Sequence, residues 1–384
     1  MNNKYHIEIL KNKNDIESAL NQSLQSFYPN SISADAKKLW VNKWFNESYL
    51  DLSNVYVNKI ENQIIGGLRT VYRTIYRKEQ KFNVLGIAET FVNPAYQKKG
   101  IAGSLTQKVL AEYNNGNADL ALIIARKKID HFYLKYQGFG LGSYSKAIIK
   151  INGKTLKKYN ISQLNKQNNL EILERIYAHS YKNCFGRVER DANYWEYLID
   201  SAKYHNIKFY NLIDENDLVG YFALFGNEII EIGAMPDTDY RQILVDIYNQ
   251  YINEFNNQSI SLNIPNNHKL FTFDLQFDVT INNRECYYGG QIVKILNINR
   301  VSLMVEERLK NEYLELNISS FEFKVDELNI EWNWNRVTIT YPENHEPSYN
   351  ETAFLLGSQL VYGESNYISN IDRLPFSINR LDEF

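Results

Sequence analysis

The segment Gln97-Lys98-Lys99-Gly100-Ile101-Ala102-Gly103 carries the sharpest chemical signal in the sequence. It follows an apolar run closed by Pro94 and enters a stretch whose apolar residues Ile101, Leu105, Val109 and Leu110 recur at helical spacing. The first turn of a helix leaves main-chain N–H groups without partners, and the helix dipole adds partial positive charge there. Small residues at Gly100, Ala102 and Gly103 let a pyrophosphate come close to the backbone, and Lys98 and Lys99 add charge that can meet it. A glycine that merely opens a surface helix would leave a similar short pattern, so the surrounding elements decide its weight.

Those elements follow an α/β order. Tyr5 to Leu10 predicts a strand, Asp15 to Tyr28 a helix, and the segment around Trp40 and Trp44 a second helix. VYVNKI and IIGGLRTVYRTIY, joined by Glu61-Asn62-Gln63, predict a hairpin. Val84 to Asn93 reads as a further strand, Ile101 to Tyr113 as a helix, Asp119 to Ala125 as a buried strand and Asp130 to Tyr136 as a short helix. Part of such a sheet must be parallel. KFYNLIDENDLVGYFAL (208–224) echoes VYVNKIENQIIGGLRTV (55–71), with Asn211, Ile213 and Gly220 standing for Asn58, Ile60 and Gly66 and one extra residue in the turn. Beyond Gly289, QIVKILNINRVSLMV enters a helix-like stretch, FEFKVDELNIEWNWNRVTITY alternates as strands do, and ETAFLLGSQLVYG reads as a helix. The expected class is α/β (α+β) with mixed sheets. Three closely packed units are expected, over 1–150, 151–288 and 289–384.

The whole chain narrows the possibilities. Its 384 residues exceed one ordinary core, and 44% apolar with 23% charged residues describe a folded protein. A formal charge of -3 offers no general attraction to nucleic acid or anionic lipid. Cys184 and Cys286 form no metal-ligand pattern, which points to a reducing compartment and a metal-free fold. The sequence shows neither a signal peptide nor a membrane span, so a cytoplasmic location is expected.

The run V-N-P-A-Y-Q-K-K-G-I-A-G-S-L, followed by FYLKYQGF, resembles the GNAT N-acetyltransferase superfamily, whose signature is Q/R-x-x-G-x-G/A after a proline-terminated strand and then an aromatic segment. Gln137 makes the spacing from Tyr133 to Gly138 one residue longer than usual. The resemblance implies acetyl-CoA as co-substrate. It implies that the backbone of Thr90, Phe91 and Val92 pairs with the pantetheine arm, and that Gln97, Lys98, Lys99, Gly100, Ile101, Ala102 and Gly103 hold the pyrophosphate.

An active unit, a second similar unit and a sterol-carrier-protein-like tail together resemble the Eis-like acetyltransferases, with RDANYWEYLID (190–200) and the ending DRLPFSINRLDEF the most similar later pieces. In the second unit Asp237-Thr238-Asp239 replaces the phosphate loop. It has no glycine, and two carboxylates would repel a pyrophosphate, so no CoA is expected there. The resemblance implies Tyr133 as general acid, against the plainer reading of a core tyrosine. It implies the carboxylate of Phe384 as base, with Glu89 on the adjacent strand competing. His131 is a further titrating group that a helix-surface position explains equally well. The implied reaction is acyl transfer to a primary amine, either of an aminoglycoside-like or polyamine-like small molecule or of a lysine side chain. Acidic residues near the mouth of the cavity would attract such cations. Two alternatives stand: an amino-sugar N-acetyltransferase of surface-polysaccharide synthesis, and a lipid or small-molecule binding protein with an inactive GNAT domain. Self-association into a homo-oligomer is also implied.

Overall fold

The computed structural model describes residues 6–46, 54–113, 116–125, 132–133, 136, 139–141, 143–151, 157–164, 170–251, 259–265, 268–272, 278–285, 290–297, 300, 320–325, 328–333 and 336–340. The chain begins with β1 (His6–Ile9), α1 (Lys13–Phe27), α2 (Ala34–Phe45), β2 (Val55–Ile60), β3 (Gln63–Arg77), β4 (Gln80–Val92), α3 (Ile101–Tyr113), β5 (Leu120–Ala125) and β6 (Phe139–Leu141). It continues with β7 (Ser143–Lys150), β8 (Asn160–Gln163), α4 (Leu170–Ser180), β9 (Arg187–Val188), α5 (Ala192–Ala202), β10 (Ile207–Asp214), β11 (Asp217–Phe225), β12 (Glu228–Ala234), α6 (Tyr240–Tyr251), β13 (Ser259–Pro265), β14 (Asp278–Glu285) and β15 (Gly290–Ile295). Strands β16 (Ser320–Val325), β17 (Leu328–Asn333) and β18 (Arg336–Thr340) form a sheet of their own.

The helices beside the first sheet start where their sequence stops them from starting earlier. Asn12 accepts the Asp15 N–H ahead of α1, and Ser33 accepts the Ala36 N–H ahead of α2. The buried face of α1 is Ile16, Ala19, Leu20, Ser23 and Leu24, one stripe of a 3.6-residue period. That stripe packs with Trp40, Trp44 and Phe91 into a core under β4.

The first sheet runs β1-β2-β3-β4-β5-β15-β6, with β9 pairing β3, and the second runs β14-β7-β13-β12-β11-β10-β8. Within them β2-β3-β4-β5 and β10-β11-β12-β13 share one pattern: two antiparallel pairs, then a parallel pair reached through a helix. The correspondence is closer than the sequence comparison suggests. Both turns hold two residues, Glu61-Asn62 and Glu215-Asn216, with φ of 54 and 53 at the glutamates. No extra residue sits in the second turn. Gly66 lies opposite Asn58 and Gly220 opposite Leu212, so Leu212, not Asn211, takes the place of Asn58.

Other boundaries also differ from expectation. β4 begins at Gln80, joined to β3 by Lys78-Glu79, a turn without the usual Asn or Gly. The helix-like start of QIVKILNINR is strand β15. Ile292, Val293, Lys294 and Ile295 are all buried, and a strand covered on both faces shows no alternation. The strands expected in FEFKVDELNIEWNWNRVTITY are present as β16 to β18. The expected helix in ETAFLLGSQLVYG lies outside the described residues.

The two sheets exchange strands across the expected limits at 150 and 288. β7 precedes the first limit yet pairs with β13 and β14, whereas β15 follows the second limit yet sits between β5 and β6. One core cluster joins Ile75, Phe82, Val84, Leu120 and Leu122 with Leu173, Tyr177, Trp195, Val293 and Ile295. Within it Arg190 and Glu231, each with a fully buried side chain, form a two-pronged ion pair at 2.7 and 2.8 Å, and Tyr221 donates to Glu231 at 2.6 Å. Removing one partner of such a pair leaves a buried charge uncompensated. Glu231→Gln is expected to cost about 3–5 kcal/mol of stability, measured by urea denaturation. An unchanged midpoint would show that the pair is dispensable.

Candidate active site

The site arises from a parallel pairing that stops early. β4 and β5 pair from Val84↔Leu120 to Ile87↔Ile123, yet β4 runs on to Val92. Just past that point the register between β3 and β4 slips by one: Gly67 faces Phe91 and Arg69 faces Ala88, so Glu89 and Thr90 together stand opposite Leu68. Glu89 takes φ 50, a left-handed conformation that costs a non-glycine residue and has to be held by its surroundings. Beyond the slip lies a cleft of about 360 Å³, with Glu89, Thr90, Val92, Gln97, Ile124 and Tyr133 among its lining residues.

What holds the slip is a buried ion pair. Arg69 Nε donates to Glu89 Oε2 at 3.1 Å and Nη2 to Oε1 at 3.4 Å, with side-chain exposures of 0% and 5%. Arg69 Nη1 reaches the carbonyl of Lys43 on α2 at 3.3 Å, so the same guanidinium ties helix to strand. Both oxygens of Glu89 are thus already accepting hydrogen bonds. Sequence reading missed Arg69. The signal was there, since a cation inside IIGGLRTVY must be buried and therefore paired.

After β4, Pro94–Tyr96 forms a single 3-10 turn, and Lys98 (φ 61) and Gly100 (φ 81) turn the chain into α3. The Gly100 carbonyl accepts the Ser104 N–H at 2.9 Å, which makes Gly100 the residue that opens the helix. Among the described residues, the main-chain N–H groups of Lys98, Lys99, Gly100, Ile101, Ala102 and Gly103 donate to nothing. A Cβ built on Gly100 would meet no atom within 4 Å, so the space over the turn is open. The turn therefore has the form that a pyrophosphate requires.

The expected residues divide by role. Thr90, Val92 and Gln97 line the cleft with Glu89 and Tyr133. The Phe91 and Ile101 side chains are buried in the cores on either side of the sheet, leaving their main chain as the part that can bind. Ala102 and Gly103 are half-buried, and the Gly103 carbonyl accepts from Tyr136 at 3.2 Å. Lys98 is exposed, whereas Lys99 turns its ammonium to the Ala95 carbonyl at 3.1 Å and over the Tyr96 ring. The Val92 carbonyl accepts from Ser26 at 3.3 Å, a contact that a strand-like ligand would have to displace. Tyr133 is buried and donates to Thr90 Oγ1 at 3.3 Å. Burial pushes its phenol above the ordinary range against a smaller opposing effect of the Thr90 contact, so the proton is kept at neutral pH. Phe384 and His131 lie outside the described residues.

Residues 11–142 match the family model of the acetyltransferase (GNAT) domain. Among solved structures, a GCN5-related N-acetyltransferase from Anabaena variabilis is similar at 15% identity and TM-score 0.61, over 88% of this chain and 85% of that one. A GCN5-related N-acetyltransferase from Kribbella flavida is similar at 10% identity and TM-score 0.60, over 93% and 89%. Eis1 from Mycobacterium abscessus follows at 14% identity and TM-score 0.56, over 89% and 86%. At such identities the likeness is one of fold, and it extends well beyond the matched domain. No curated protein matches the chain.

The open turn yields a direct test. Saturating acetyl-CoA is expected to raise the melting temperature of the wild type, a ligand at a hundredfold its Kd adding about 2.7 kcal/mol. The shift is expected to be largely lost in Gly100→Asp, which places a carboxylate over the free amides. The readout is the shift and not the baseline, because aspartate at this φ is itself strained. Equal shifts in the two proteins would remove the turn from the site.

Proposed function

We propose that the chain is an N-acetyltransferase that moves the acetyl group of acetyl-CoA to a primary amine. The observation that carries this reading is the cleft at the β4–β5 parting, whose lining runs along β4 to Gln97, directly before the unpartnered amides at the start of α3. The parting exposes a strand edge to which an extended amide-bearing arm can add, and the amides accept the phosphates at its end.

The second sheet supports the assignment by contrast. In register, Ala234 stands where Val92 stands and Ile232 where Thr90 stands. There the Ile232 N–H donates to Tyr181 Oη at 3.3 Å, the Ala234 N–H donates to Ser180 Oγ at 2.9 Å, and the Ser180 hydroxyl donates to the Ala234 carbonyl. Asp239 accepts the Arg241 N–H at 2.8 Å at the start of α6. In this reading the second unit is a degenerate copy whose own side chains take the place of a ligand, and the third is the sterol-carrier-like tail.

For the chemistry, the amine nitrogen attacks the thioester carbonyl, the carbon–sulfur bond breaks, and the amine loses a proton while the thiolate gains one. Tyr133 supplies the proton to sulfur, its hydroxyl leaving Thr90 to do so. Glu89 serves as a brace for the slipped register and not as base, because both its oxygens are engaged by Arg69. The base then comes from elsewhere, with Phe384 the candidate that the family resemblance names.

Tyr133→Phe is expected to lower kcat about 10²-fold or more with acetyl-CoA affinity close to wild type. A tyrosine acid works only while protonated, so activity is lost as pH rises through its pKa. Burial raises that pKa, and the wild type is therefore expected to hold its kcat between about pH 8 and about pH 10. Stopped-flow or steady-state release of CoA thiol checks both. Undiminished turnover in Tyr133→Phe would assign the proton to another donor.

A further inference from the structure

The wall of the cleft opposite the β4 edge is built by the α1–α2 pair, through Phe27, Trp40 and Lys43. Its apolar part is aromatic: the Phe27 and Trp40 rings pack with centroids 5.5 Å apart and planes tilted by 55°, and the Trp40 indole is fixed by a hydrogen bond from its Nε1 to Ser23 at 3.1 Å. Its charged part is Lys43, half-buried in the last turn of α2 with its ammonium 6.0 Å from the centre of the Trp40 ring. Among the described residues no carboxylate lies within ion-pairing distance of that ammonium. Glu89, the carboxylate lining the same cleft, is already neutralised by Arg69.

The root of Lys43 is not loose. Its carbonyl accepts Arg69 Nη1, the guanidinium that also grips Glu89 two residues from Phe91. The base of the ammonium is thus held in fixed relation to the slipped strand where the reacting atoms would lie. The single 3-10 turn Lys203–His205 packs against α2. Burial, with a smaller effect from Lys43, holds His205 down to about 4, so the ring is neutral at physiological pH and the charge at this wall is that of Lys43. A lysine in a last helical turn also complements the helix dipole, but that role needs neither an aromatic wall nor a place inside a cleft.

A half-buried ammonium on an aromatic wall is matched by a ligand with an anionic end and an apolar stem. We propose that Lys43 and Trp40 form an acceptor subsite for an anionic group, so that the amine acetylated by this chain carries a carboxylate or a phosphate at its far end. The proposal rests on the acetyltransferase reading above. It departs from the polycationic acceptor implied by family resemblance, since this wall would repel a second ammonium.

Four acceptors of one length separate the outcomes: 6-aminohexanoate, 6-aminohexyl phosphate, hexylamine and 1,6-diaminohexane, each assayed with acetyl-CoA by release of CoA thiol. The expected wild-type result is a kcat/KM for the two anionic amines at least about tenfold above that for the diamine, the size of one partly desolvated charged contact. The order of the two anions identifies carboxylate or phosphate as the better fit. Lys43→Glu is expected to invert the preference towards the diamine, and an acetyl-CoA-dependent melting shift in that variant shows that it is folded. A wild type that acetylates the diamine as well as or better than the anionic amines overturns the subsite alone. So does a Lys43→Glu protein with an unaltered order of acceptors. Transfer to none of the four overturns the subsite and the acetyltransferase reading together.

Discussion

The paired charges of Arg69 and Glu89 are the constraint on which the cleft depends. A parallel strand pair left to itself continues to hydrogen-bond until one strand ends. Here β4 leaves β5 after Ile87 because Glu89 and Thr90 are crowded opposite a single residue, Leu68. That slip requires a left-handed glutamate, and a left-handed glutamate requires something to hold it. The guanidinium does so from within the sheet, and by reaching Lys43 it also sets where α2 stands. Geometry of the strand, width of the cleft and position of its far wall follow from one buried contact.

The second sheet solves the same problem with different partners. Counted back from Val92 and Ala234, Glu89 and Glu231 hold corresponding positions, and each is gripped by two nitrogens of an arginine. In the first case the arginine comes from the neighbouring strand, and in the second from the segment before α5. The slip in β12 falls nearer its start, after Ile229, and the exposed edge beyond it is covered by Ser180 and Tyr181. In the first sheet, α1 offers Ser26 and Phe27 to the corresponding edge, and phenylalanine has no hydroxyl to occupy it. A phenol hydroxyl against a bare phenyl ring is therefore part of what separates a filled groove from an open one.

Much of this was legible in the residues. α3 runs from Ile101 to Tyr113 as its spacing predicts, because an amphipathic helix writes its period directly into the chain. The turn before it was legible too, since glycine at a left-handed position leaves a mark. β15 was not, because burial on both faces erases alternation and its partners β5 and β6 lie more than a hundred residues upstream. The Lys78-Glu79 turn has no turn-forming residue to announce it. Lys43 stayed hidden for another reason: a charge on an amphipathic helix reads as solvated until tertiary contacts show what surrounds it.

The place of β15 bears on how the molecule comes into being. Between β5 and β6 it supplies the next-to-last strand of the sheet that carries the cleft, yet it is made after every strand of the second sheet. A nascent chain that has emerged only as far as Ala125 offers solvent an unsatisfied row of amides and carbonyls along β5. That edge stays open until Ile295 has left the ribosome, which gives the first sheet a high contact order and a long window for wrong pairing. Any fragment cut near residue 150 inherits the same exposed edge permanently, and aggregation, not a smaller working enzyme, is its expected fate.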